Sequence, residues 1–215
     1  MTKRAKWGIG CGAAAVVALT AAIVLLALLF DPVRLFPVPE VTAEDLERQA
    51  EVIRETAAQL QAAEPRPGEA VTLRLTPAQV RSILRISLRQ YALREGMTAL
   101  PLQLDYREEG RWEITYLHDT GRRWLFGGGL RLFLTGRFSV KGDAAKFEAD
   151  AAAFGALRFS GAGVQMGVDA VMAEIERDES FAELIAAIRE FYTDEAGNLV
   201  VAVAPEEIFW LMMKQ

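Results

Sequence analysis

The chain has 215 residues, with 24 Lys and Arg against 29 Asp and Glu, one His and one Cys. A net charge of −5 excludes the basic footprint of a nucleic-acid binder, and one Cys excludes a disulfide framework. With His118 the one histidine and Cys11 the one cysteine, the latter inside the uncharged run, a transition-metal site has too little to use, so no metal and no cofactor is expected. Charge is uneven: +3 over residues 1–39, −5 over 40–69, +6 over 70–141 and −9 over 142–215. An arginine-rich middle and an acidic end predict segments that neutralise one another on packing.

Residues 1–7 are basic, with Lys3, Arg4 and Lys6, and Trp7 follows them. Gly8 to Phe30 is then 23 residues without a charge. As a helix it would span about 34 Å, enough to cross the hydrocarbon of a bilayer. The basic start puts the N-terminus in the cytoplasm and the rest outside, a single-pass anchor in the cell membrane. The run is long for a secretory signal and ends in Leu28-Leu29-Phe30-Asp31-Pro32, so it is read as retained. Gly8 and Gly12, followed by Ala14, Ala18 and Ala22, give a small-residue face suited to a homodimer in the membrane.

Residues 31–40 hold three prolines and predict a stiff extended spacer at the membrane face. Residues 41–215 form one extracytoplasmic domain. Thr42 and Asp45 make a variant capping box for a helix to about Ala63. Its apolar positions Ala43, Leu46, Ala50, Ile53, Ala57 and Leu60 form a narrow seam, expected to dock onto the domain. Val71, Leu73 and Leu75 alternate as a strand, and Thr76-Pro77 starts a helix that closes on Gly96. Val80, Ile83, Leu84, Leu88 and Tyr91 are its expected buried face. Arg81, Arg85 and Arg89 make a stripe elsewhere, with Ile86 and Leu93 beside it.

Strands are expected over Leu100–Tyr106, Trp112–His118, 122–126, Leu130–Lys141, Phe147–Ala153 and through Leu157 and Phe159. Val164 to Ile175 and Phe181 to Phe191 then predict two helices, Leu199–Ala204 a last strand, and Pro205 a closing helix. The fold class is α+β: a curved antiparallel sheet of six or seven strands wrapped on helices. VTLRLTPAQVRSIL (Val71–Leu84) and LVVAVAPEEIFWLM (Leu199–Met212) echo each other, which would put equivalent corners at the two ends of the sheet.

The anchor, the strand running into the LTPAQV helix, the long meander and the closing GNLVVAVAPEEIFWLM together resemble the YpmS-like bacterial domains. Those are anchored extracytoplasmic proteins with the architecture of the TULIP lipid-binding superfamily. The resemblance implies a sheet curled around a long helix and an apolar groove, across about residues 70–212.

No enzyme is expected. His118-Asp119-Thr120-Gly121 has the composition of a turn, and no nucleophile is matched to the histidine. Gly161 and Gly163 lack the spacing and the βαβ setting of a dinucleotide site. Two functions remain. One is lipid or apolar-ligand binding in the envelope, with Ile86, Leu93, Leu132 and Leu134 lining a groove and Arg81, Arg85 and Arg89 meeting anionic headgroups. The other is a non-catalytic structural subunit of an envelope assembly, with a protein partner.

Overall fold

The computed structural model describes residues 30–32, 34–62, 70–121, 128–141, 144–175, 185–186 and 188–203, with Thr20, Val24 and Arg177 singly. The expected anchor, the strand at 122–126 and the closing helix after Pro205 lie almost wholly outside the described residues. Among the described residues, no helix is long and apolar enough to cross a membrane.

The protein is α+β. Strands β1 (Phe30–Pro32), β3 (Val71–Leu75), β5 (Leu102–Tyr106), β6 (Trp112–Asp119), β7 (Gly128–Lys141), β8 (Ala144–Phe154), β9 (Leu157–Ser160), β10 (Ile188–Thr193) and β11 (Leu199–Val203) form one nine-stranded antiparallel sheet. Its main order is β3-β11-β10-β7-β6-β5, and β8, β9 and β1 extend from the other side of β7. The ends of the order do not pair, so the sheet is open. β2 (Phe36–Pro37) and β4 (Ala99–Leu100) make a separate small ribbon. Three helices have described bounds, α1 (Ala43–Ala62), α2 (Pro77–Arg94) and α3 (Ala162–Ile175), and Thr20, Val24 and residues 185–186 are also helical.

α2 starts where the sequence says it should. Thr76 Oγ1 accepts from Gln79 N–H at 3.3 Å, Gln79 Oε1 accepts from Thr76 N–H at 2.8 Å, and Pro77 fills the first helical position. The helix ends before Gly96, which takes a φ of 64° that a larger residue adopts only with strain. α2 touches both β3 and β5, the two ends of the sheet order. The core follows: Leu75, Val80, Tyr106 and Leu199, ringed by Val52, Ile83, Leu84, Trp112, Phe191 and Val201.

Several expectations are corrected. The sheet has nine strands, not six or seven, partly because residues 30–32 and 188–193 are strands. Residues 188–191 were expected at the end of a helix because Ile188 and Phe191 are three apart. β10 carries a bulge: Ile188 pairs with Val203 and Glu190 with Ala202, leaving Arg189 as the extra residue. That insertion turns a two-residue period into a three-residue one. The echoing segments do not mark opposite ends of the sheet. β3 and β11 are adjacent, Leu75 opposite Leu199 and Val71 opposite Val203. In α2, Ile86 is 5% exposed, whereas Tyr91 is half-exposed, reversing their expected places.

The helix α1 docks, but not by its apolar seam. Asp45 is fully buried and Val52 and Thr56 are half-buried, while Leu46 is 53% and Ile53 is 60% exposed. Leu46, Ala50, Ile53 and Ala57 each follow a buried or half-buried residue, so the helix sits rotated by about 100° from the expected docking. The cause is polar. Asp45 Oδ1 accepts from Ser82 Oγ at 2.7 Å and from Arg85 Nη1 at 3.1 Å, while Asp45 Oδ2 accepts from Thr42 N–H at 3.0 Å and Thr42 Oγ1 at 2.9 Å. Burial pushes this carboxyl up, but the Thr42 and Ser82 bonds and the Arg85 charge outweigh it and hold the pKa at about 2.

The β5–β6 and β10–β11 hairpins are joined at their turns by side chains instead of strand pairing. Tyr106 is fully buried, and its hydroxyl donates to Gly197 O at 3.1 Å and lies 3.0 Å from Thr193 Oγ1, which donates to Gly110 O at 3.0 Å. A Cβ at Gly110 would fall on Thr193 Cγ2, and one at Gly197 on the Glu108 carbonyl oxygen. The β5–β6 and β10–β11 turns are thus interlocked. Arg81 joins them to α2 through Tyr106 O at 3.2 Å and Glu108 Oε1 at 2.6 Å.

Candidate functional site: an apolar sheet face

Residues directly opposite in an antiparallel pair project from the same face. The registers therefore assemble two apolar rows across five strands. One is Leu104, Ile114, Leu134, Ala152 and Phe159; the other is Leu102, Tyr116, Leu132, Phe154 and Leu157. No charged residue interrupts either row. Tyr116 is 39%, Phe154 44% and Phe159 45% exposed, and Leu102, Leu104, Ile114, Leu132, Leu134 and Leu157 are half-buried. Phe154 and Phe159 meet edge to face at 5.8 Å, which holds both rings on this surface.

The same face continues into the packed core. Trp112 lies opposite Gly136, and Val140 opposite Phe191. Trp112 packs against Tyr106 at 5.0 Å and Phe191 at 6.2 Å, and Phe191 against Phe138 at 5.3 Å. Trp112 Nε1 is buried without an acceptor among the described residues. A single apolar face thus runs from fully buried at the clasp to half-exposed at the β8–β9 side.

β1 borders the half-exposed part. Phe30, Asp31 and Pro32 pair with Leu130, Gly129 and Gly128. Leu132 and Leu134 follow Leu130 along β7, about 7 and 14 Å on. The segment read as a free spacer is extended as expected but stitched to the domain at both β1 and β2. Its Leu35 is 46% exposed.

Of the residues expected in a groove, Leu132 and Leu134 stand together on this face. Ile86 is buried on α2, and Leu93 is 70% exposed on the same helix. The arginine stripe is divided among different partners. Arg81 binds Glu108, Arg85 binds the buried Asp45, and Arg89 is exposed and makes no ion pair among the described residues. Arg74 of β3 lies 3.4 Å from Asp194. Partial burial pushes that carboxyl up, and bonds from Asn198 and Ala196 bring it below its ordinary value. His118 is exposed on β6, opposite Leu130.

Sequence reasoning missed Tyr116, Phe154 and Phe159 as surface residues. Their alternation carried the signal for a common face but not for how much of it is covered. An open groove of about 470 Å³ lies between α1 and β3, bordered by Val52, Thr56, Thr72 and Arg74. Its mixed lining suits water better than an acyl chain. Comparison with protein-family models, with curated proteins and with solved structures returned no match.

Proposed function

We propose that this chain is a single-pass membrane protein whose extracytoplasmic domain holds a lipid acyl chain against its apolar sheet face. In this reading residues 1–7 are cytoplasmic, 8–30 cross the membrane, and the sheet curls around α2 outside it, in the manner of the YpmS-like and TULIP-like domains. One observation carries the reading. β1 begins at Phe30, the last residue of the uncharged stretch, and pairs with β7 where its apolar face begins, so the end of that stretch and the half-exposed rows adjoin. A chain leaving the bilayer beside the anchor meets Leu132, Leu134, Tyr116 and Phe154 first. Burying apolar surface there gains about 25 cal/mol per Å². Arg89, exposed on α2, is the cation of the stripe that this reading offers to a headgroup.

The test uses the full chain in vesicles containing a phospholipid with a photoreactive acyl chain. Label on peptides spanning Ile114–Tyr116, Leu132–Leu134 and Phe154–Phe159 is the expected result. Label confined to residues 8–30 would overturn the proposal. A second reading, a structural subunit of an envelope assembly, is favoured by the solvent-facing seam of α1.

A further inference from the structure

The seam of α1 is the second exposed apolar surface. Leu46 and Ile53 are 53% and 60% exposed, and Ala43, Ala50 and Ala57 are exposed between and beside them. Its polar side already holds the helix to Ser82 and Arg85, so the seam is not needed for docking within the chain. Large and small residues alternate along it, Leu46, Ala50, Ile53, Ala57, at spacings of four, three and four.

We infer that α1 packs antiparallel against α1 of a second copy. The pattern is complementary to its own reverse. With a two-fold axis between Ala50 and Ile53, Ala50 faces Ile53 of the second copy and Leu46 faces its Ala57. Every contact then sets a large side chain against a small one, which lets the helices approach closely. The charges fit the same register. Glu47 of one copy lies beside Arg54 of the other, twice, and neither residue makes an ion pair among the described residues of its own chain. Arg54 spends only its Nε, on Ala50 O at 3.1 Å.

A membrane surface is the weaker occupant. Helices that lie in an interface carry Lys and Arg on their polar face. α1 carries Glu44, Asp45, Glu47, Glu51 and Glu55 against Arg48 and Arg54, and is repelled by anionic lipid. The pairing buries less than a standard dimer interface, so its strength rests on fit and charge.

The test is disulfide capture of the full chain in vesicles, on a Cys11→Ser background, with Ala50→Cys and Ile53→Cys together. Dimer on mild oxidation is expected. Added to that variant, Glu47→Arg or Arg54→Glu alone lowers the yield about fivefold, and the two together restore it, because the pair is re-formed with its signs exchanged. These residues are exposed, and circular dichroism of each variant checks that the fold is kept. No dimer, or charge variants that leave the yield unchanged, or a charge swap that fails to restore it, would overturn the inference. So would a monomer in which Leu46→Cys and Ile53→Cys are shielded from aqueous thiol reagent by lipid.

Discussion

The two halves of the sheet's apolar face have the same alternating sequence and opposite fates. Around Tyr106, Val140 and Leu199 the side chains are 0–4% exposed, while Tyr116, Phe154 and Phe159 are about 40% exposed. α2 and the interlocked turns account for the first half. The difference teaches that a fold can concentrate its stability at one end of a sheet and leave the other end able to take up something else. Stability at the clasp is specific and polar as well as apolar: Tyr106, Thr193, Gly110, Gly197 and Arg81 satisfy one another.

Breaking the clasp has the largest expected effect. Gly197→Ala at a φ of 82° drives its methyl onto the Glu108 backbone and is expected to cost about 4 kcal/mol in urea unfolding. Asp45→Ala comes next, at about 3 kcal/mol, because Ser82, Thr42 and Arg85 lose a common acceptor. The native carboxylate gives this term a pH dependence. Its folded pKa, about 2, lies below the ordinary 3.8, so the contribution is complete above about pH 4 and is lost as pH falls towards 2. It amounts to about 2 kcal/mol, and unfolding of Asp45→Asn measured over that window is expected to lack it.

Tyr106→Phe removes a hydroxyl buried between two turns, at an expected cost of about 1.5 kcal/mol. Phe154→Ser, on the half-exposed end, is expected to cost about 1 kcal/mol and to lower acyl-chain photolabelling of the face several-fold. A Phe154→Ser variant that unfolds as easily as Gly197→Ala would erase the contrast between the two ends.

Much of the fold was legible in the residues. The Thr76 cap, the β5–β9 meander and the span of α1 follow from alternation, turn residues and capping. What failed has two physical sources: an apolar stripe does not always mark the buried side, and a bulge changes a strand's period. In α1 a charged network around Asp45 decides the docking, and the apolar seam turns outward. In β10 a bulge at Arg189 imitates a helical period. Of the candidate site, the shared sheet face of Leu132 and Leu134 was visible in the alternation. Ile86 and Leu93 were assigned from position on a helical wheel, and the wheel was rotated by the packing of Ser82 against Asp45. The Tyr106–Thr193 clasp left no sequence signal beyond glycines at two turns, since it joins segments 87 residues apart.

The pairing of β3 with β11 has a consequence for how the protein is made. Leu75 waits for Leu199, and Phe30 for Leu130, so the first strands to leave the ribosome are completed by late ones. Such long-range closure is slow, and until it happens β3 is an open edge on an emerging chain. A chain stopped before Leu199 would present that edge permanently. Synthesis of β11, the last described strand, is therefore the event that covers this edge of β3.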